Sequence, residues 1–450
     1  MNIDKFIEEL FRKAEERGLK DFEVYYSNGK SFSVKIYNGE IDDYKNSTGM
    51  GLSFRGIYNG QMAYSYTENF HESSIDILID ELIDNASILE KDFLEEIYAG
   101  DSSYLNINNY DESIEKVEID EKIKLAKELE LEAKKIDSRV KSVNYCLYGE
   151  GSGERKIVNS KGLNLEDKGN DAYCYLAVVV KEGEDTKTGS AFKISKNFED
   201  FNAKDLAKEA VEEAVAMLGA KSIKSGEYSI IIKNRAFASL IGAMTGIFSG
   251  EAIEKGLSRF EGKIGTKVAV EKFNLIDNPH LEGGGSSKAF DDEGVRTSCK
   301  YIIEKGILKG YLHNLKTAKK MGVEATGNGQ KGSYKGSISI APFNFYLEPQ
   351  DLDLEELKKK MGTGLLLTEF GGIHSGLNSI SGDFSLITSG FYIENGEIVR
   401  PVNQITFAGN YFDLIKNIDT IGSDLEFNFP SVSHIGSPSV LIRNAKIAGE

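Results

Sequence analysis

The chain has 450 residues, enough to bury more than one core, and its 40% apolar and 28% charged residues are ordinary for a globular protein. A formal charge of −17 argues against unassisted nucleic-acid binding, because phosphate contacts need clustered Lys and Arg. Nothing suggests a membrane span: the longest near-apolar stretch, Ala236 to Phe248, is interrupted by Ser, Gly and Thr and is too short to cross a bilayer.

The first residues carry acids where a signal peptide would have a basic start. The three cysteines, Cys146, Cys174 and Cys299, form an odd and sparse set. That set fits reduced thiols in the cytoplasm better than a disulfide scaffold.

In chain order, Ile3, Phe6, Leu10 and Ala14 recur at helical spacing and predict an amphipathic helix over 3–17, closed by Gly18. Strands are expected over 21–27, 31–37, 50–58 and 61–66, separated by the Asn-Gly pairs at Asn28, Asn38 and Asn59. A second helix follows over 73–89. The pattern then recurs, with a helix over 119–136, strands near 140–148, 155–159 and 171–181, and a closing helix over 203–218. Asn159-Ser-Lys-Gly162 stands where Asn38-Gly39 stood. Residues 1–222 therefore read as an α+β domain of two related helix-plus-antiparallel-hairpin units, 1–110 and 111–222.

All six prolines lie at or beyond Pro279, which marks a change of architecture. Residues 223–450 read as a β-rich domain that opens with a strand over 228–232 and a buried helix over 235–255. Strands are expected over 267–276, 297–304, 307–312, 343–347, 383–394 and 397–407, with helices over 354–361 and 411–416. The expected fold class is α+β, its second part a large antiparallel or mixed, barrel-like sheet around that buried helix.

No nucleophile elbow of the Gly-x-Ser-x-Gly type with a matching His and acid is present, and Gly327-Asn-Gly-Gln-Lys-Gly lacks the spacing of a phosphate loop. The only His-Glu pair, His71-Glu72, has Ile75 and Asp76 where a second zinc ligand would stand. The glycines of Met361-Gly-Thr-Gly and Gly371-Gly372, with the turn Ser381-Gly382-Asp383, are places where backbone could lie against an extended peptide. The candidate peptide-contacting residues are thus Gly362, Thr363, Gly364, Gly371, Gly372, Ser381, Gly382 and Asp383. For each, a tight turn or close packing is the simpler reading.

Several segments taken together carry a family resemblance. They are Phe290-Asp-Asp-Glu-Gly-Val-Arg-Thr, Gly306-Ile-Leu-Lys-Gly-Tyr, the run from Met361 to Ile373, Ser381-Gly-Asp-Phe-Ser, Gly390-Phe-Tyr-Ile-Glu-Asn-Gly, Ile405-Thr-Phe-Ala-Gly-Asn and the ending from Gly436. In this order they resemble the PmbA/TldE branch of the TldD/PmbA family, proteins named as modulators of DNA gyrase and linked to peptide maturation by proteolysis. The resemblance implies that TldD proteins carry His-Glu-x-x-x-His on the helix equivalent to Arg235–Lys255, with a Cys near the C-terminus.

Here that helix has no histidine, Glu251 is the acid near its middle, and Gly422-Ser-Asp-Leu-Glu occupies the neighbourhood of the cysteine. The expectation is a chain with no catalytic residue, no cofactor and no metal of its own. It would pair with a TldD-like subunit that carries zinc and enclose a cleft for a flexible peptide substrate. A self-sufficient hydrolase with an unrecognised site and a homodimeric peptide-binding or regulatory module are the alternatives.

Overall fold

The computed structural model describes residues 2–89 and 95–450. The first part of the chain runs α1 (Ile3–Glu16), β1 (Phe22–Tyr37), β2 (Glu40–Tyr58), β3 (Gln61–Thr67) and α2 (Ser73–Ile88). It continues through α3 (Ser113–Lys116), α4 (Ile119–Ile136), β4 (Val140–Asn159), β5 (Asn164–Glu182), β6 (Asp185–Ser195) and α5 (Ala203–Ala216). The six strands make one antiparallel sheet in the order β3-β2-β1-β4-β5-β6.

β1 and β4 meet at the middle, so each half contributes one three-stranded meander flanked by helices. α1 and α2 cover the first half through Phe6, Leu10, Ile75 and Leu78 packed on Phe22, Val24 and Phe54. α4 and α5 cover the second through Leu129, Ala133, Ala207 and Val211 packed on Tyr148, Cys174 and Leu176.

Two of the three Asn-Gly pairs make the expected turns: Asn38 and Gly39, then Asn59 and Gly60, all have positive φ. Asn28-Gly29 does not. β1 passes straight through it, with Gly29 paired to Gly49 on one side and Gly153 on the other. Ladder bonds on both edges outweigh a local turn preference there, and the strands expected over 21–27 and 31–37 are one. β4 likewise merges two expected strands.

The second part runs β7 (Gly226–Ile232), α6 (Asn234–Ala243), α7 (Gly250–Glu254), β8 (Leu275–Asp277), β9 (Lys300–Glu304), β10 (Ile307–Leu308), α8 (Leu315–Met321), β11 (Gly329–Gln330), β12 (Ser339–Ile340) and β13 (Asn344–Leu347). It ends with α9 (Leu354–Met361), β14 (Gly364–Gly371), α10 (Ile373–Gly376), β15 (Asp383–Glu394), β16 (Glu397–Asn410), α11 (Tyr411–Leu414), β17 (Ile418–Ile421), β18 (Glu426–Phe427), β19 (His434–Ser437) and β20 (Val440–Ala448).

Its strands form two six-stranded sheets besides the short β11–β12 pair. One has the order β16-β15-β14-β7-β20-β17, and pairing of β16 with β20 closes five of its strands into a barrel. The other is β10-β9-β8-β13-β19-β18. α6 lies between the two, its Phe237, Leu240 and Ile241 fully buried against residues of both, such as Leu367 and Phe345. The fold is α+β, with a barrel and a buried helix in the second part. The strand expected over 267–276 shrinks to β8: Val268 and Ala269 are buried in irregular chain whose amides bond to Gly306 O.

Candidate functional site

The buried helix expected over 235–255 is broken. After α6 the chain makes a single 3-10 turn over Thr245–Phe248, and Ser249 is extended before α7 begins. The break is tied to a neighbouring segment: Gly250 N–H donates to Leu312 O at 2.8 Å, and Leu312 N–H donates to Phe248 O at 2.8 Å. A continuous helix would forfeit that bridge. Gly250 is required, since a Cβ there would meet the His313 ring at 2.3 Å.

α7 presents Glu251 and Glu254 to a cavity of about 380 Å³, which Glu95, Glu96, Lys316 and Lys320 also line, with Arg55 and Glu293 at its base. The glutamates are paired with lysines. Lys255 bonds Glu251 at 2.5 Å, Lys320 bonds Glu254, Lys316 bonds Glu95 at 2.8 Å and Lys319 bonds Glu96 at 3.2 Å.

Zinc does not fit these residues. It needs three donors converging at about 2.0–2.3 Å and an open position, whereas here ammonium groups occupy the space beside each carboxylate. Among the described residues no group of three or more His, Cys, Asp and Glu is placed to hold a metal ion. His313 stands behind Gly250 with Nδ1 3.3 Å from Thr317 Oγ1, and burial lowers its pKa. His280 bonds Thr297, and His434 Nδ1 accepts from Gly285 N–H at 3.0 Å, its pKa pushed down to about 4 by burial. His71 and His374 are exposed. Near the position of the family cysteine, Asp424 accepts from Ser439 N–H at 2.8 Å and Ser439 Oγ at 2.7 Å.

Beneath this cavity lies a group that sequence reading took only as a family motif. Asp291, Asp292 and Glu293 are all buried, although three consecutive acids ordinarily mark a solvated loop. Asp291 accepts from the amides of Glu293, Val295 and Gly329 at 2.8–2.9 Å. Asp292 binds Arg155 of β4 and accepts from Lys331 N–H at 2.7 Å. Glu293 accepts from Leu315 N–H at 2.7 Å and lies 3.7 Å from Arg55 of β2, whose closer partner is Glu23 at 2.7 Å.

Burial raises the Asp291 and Glu293 pKa values, with Glu293 adding to the rise at Asp291, and Glu23 and Glu95 adding to that at Glu293. Burial acts the same way on Asp292, but Lys288 and Arg155 outweigh it and lower its pKa. The triplet therefore joins the first sheet to the second part of the chain through charge-assisted bonds.

A larger cavity, of about 740 Å³, opens between that sheet and the loop 283–288. Its sheet side includes Lys30, Ser152, Asn170 and Asp171; its loop side includes Ser286 and Lys288. Asn109 pins the rim, donating to Ser287 O at 2.5 Å and accepting from Lys196 Nζ at 3.3 Å.

Residues 22–86, 112–218 and 225–449 match, in that order, domain 1, the central domain and the C-terminal domain of the PmbA/TldA metallopeptidases. The chain belongs to the PmbA/TldD family. It is 30% identical over 335 residues to Metalloprotease PmbA of Escherichia coli O157:H7, 73% of this chain and 70% of that one. It is also 30% identical over 343 residues to a Metalloprotease TldD homolog of Buchnera aphidicola subsp. Acyrthosiphon pisum, 70% of each chain. A solved Thermotoga maritima MSB8 protein, described as a modulator of a DNA gyrase, superposes with a TM-score of 0.92 at 32% identity, covering 99% of this chain and 100% of that one. TldE from Thermococcus kodakarensis shares the fold, with a TM-score of 0.91 at 23% identity over 99% of this chain and 100% of that one.

Within this PmbA/TldD fold the eight candidate peptide-contacting residues fall in two groups at opposite ends of β14. Gly362, Thr363 and Gly364 stand at its start: Gly362 ends α9 with φ 79°, and a Cβ on Gly364 would meet Ser229 O of β7 at 2.1 Å. Gly371 and Gly372 stand at its far end, Gly371 opposite Ile387, and the turn Ser381, Gly382 and Asp383 lies beyond them, next to the bridge of Leu377 with Phe384. There Gly382 has φ 79° against the Phe412 ring, and Asp383 accepts from Asn410 Nδ2 at 2.8 Å. None of the eight lines either cavity described above. β14 is paired on both sides over Leu365–Leu367, so it offers no free edge there for strand addition.

Proposed function

We propose that this chain is the zinc-free subunit of a two-chain peptidase, in which a TldD-like partner supplies the metal and the general base. This chain would complete the enclosure around a flexible peptide and take no part in bond cleavage. One observation carries the reading. The segment equivalent to the relatives' metal-binding helix is broken at Ser249 and presents only Glu251 and Glu254, each bonded to a lysine. A dication placed there would face two ammonium groups in a cleft partly shielded from water, where repulsion exceeds its value in bulk solvent.

Two further features suit a cytoplasmic protein of this kind. Cys146 and Cys174 are buried, and burial pushes the Cys146 thiol up to about 12, which leaves it protonated and unreactive. Among the described residues no helix is long and apolar enough to cross a membrane.

Co-expression with a TldD-like chain tests the proposal. Cleavage of an unfolded peptide is expected only in the mixture, and a chelator is expected to abolish it. Chelator-sensitive cleavage by this chain purified alone would overturn the reading in favour of a self-sufficient hydrolase.

A further inference from the structure

The larger cavity holds charged groups of both signs that the protein leaves without close partners. Lys288 enters it from the loop 283–288, and its ammonium has no hydrogen bond and no carboxylate within 4 Å among the described residues. Asp171 enters from β5, and its carboxylate is likewise without a hydrogen bond or an ion pair. Both are partly withdrawn from water. Burial lowers the Lys288 pKa, assisted by Arg155 and opposed by Asp292, Asp167 and Asp291, and burial raises that of Asp171 with Lys196 opposing it.

A charge removed from water without a partner is costly, and proteins ordinarily pair or neutralise such groups. Arg155, on the same wall, illustrates the rule: it is held by Asp292 and Asp167. Lys288 and Asp171 lack such direct bonds and are compensated only at longer range, Lys288 by Asp292, Asp167 and Asp291 and Asp171 by Lys196. The same lining includes the hydroxyls of Ser152 and Ser286, of the kind that meet peptide groups, while the Asn170 amide is already held by the Asp111 backbone.

We infer that this cavity binds the zwitterionic ends of a short peptide, with Lys288 receiving a carboxylate and Asp171 an ammonium. About 740 Å³ falls within the range of small-molecule sites and has room for a few residues in extended form. Such a site would retain short unblocked peptides, the products of an endopeptidase. The inference thus deepens the peptidase reading, yet it concerns this chain alone and is testable without a catalytic partner.

The test is calorimetric titration of the purified full-length chain with unblocked tri-alanine, its N-acetylated form, its C-amidated form and free alanine. The unblocked tripeptide is expected to bind, and blocking either end is expected to weaken binding at least about tenfold, the size of one lost charge-assisted contact. In Lys288→Met the penalty for C-amidation should vanish. In Asp171→Asn the penalty for N-acetylation should vanish. Unchanged melting curves would show that both variants are folded.

Free alanine binding as tightly as tri-alanine would overturn the peptide assignment in favour of an amino-acid site. Equal binding of blocked and unblocked forms, or no binding at millimolar concentration, would overturn the proposal outright. A failure of the co-expression experiment would leave these results untouched.

Discussion

Replacing Arg155 with Ala is expected to destabilise the protein by about 3–5 kcal/mol, the cost of stranding a buried charge. Arg155 is 6% exposed and makes three kinds of contact at once. Its guanidinium binds Asp292, reaches Asp167 at 3.2 Å and donates to Phe290 O at 2.7 Å, while its plane lies 4.5 Å from the centre of the Phe290 ring. Removing it leaves Asp292, only 2% exposed, with the Lys331 amide and the field of Lys288.

Arg155→Lys should recover part of the loss, because a lysine restores charge but neither the planar fork nor the stacking. Urea unfolding of the three proteins measures this. A loss below about 1 kcal/mol for Arg155→Ala would show that the triplet is not what joins the two parts of the chain.

The second large effect is a pH dependence set by Glu293. Burial pushes this carboxyl up to about 7, against the pull of Arg55 and of the Leu315 amide. Between the ordinary value of 4.5 and about 7, the folded chain holds a proton that the unfolded chain has released. Stability from this group is therefore lost as pH rises through that window, by up to about 3 kcal/mol at 1.36 kcal/mol per unit.

Glu293→Gln keeps the shape and removes the titration. Variant and wild type should match near pH 5, and the variant should be more stable by about 2–3 kcal/mol at pH 8. Unfolding curves at pH 5, 6.5 and 8 decide the matter. If the wild type instead gains on the variant as pH rises, the ion pair with Arg55 dominates and Glu293 is ionised throughout.

What the sequence disclosed, and what it hid, divides along the range of the interactions. α4 and α9 fall where periodicity placed them, because an apolar stripe or the Asp353–Glu356 capping box is written within one turn or two. β15 was equally plain from its alternation. Asn28-Gly29 misled because its local preference was opposed by strands from residues 49 and 153. The helix break at Ser249 depends on Leu312, and a helical spacing of apolar residues carries no trace of it.

The acid triplet is the sharpest case. Its burial requires Arg155 and Arg55, which lie far away in the chain and carry no local sign of that role. The unusual feature was three acids closed by Gly294 and followed by Arg296, a composition that asks for amide donors and cations. The missing histidines, by contrast, were legible directly, since an absence at a known spacing needs no tertiary information.

We propose that the segment over Gly250–Lys255, whose glutamates are paired with lysines, takes no zinc. Metal analysis of the chain purified alone, after equilibration with zinc and removal of excess ion, tests it most directly. Zinc well below one equivalent per chain is the expected result. Zinc near one equivalent, lost on substituting Glu251→Gln or Glu254→Gln, would contradict it.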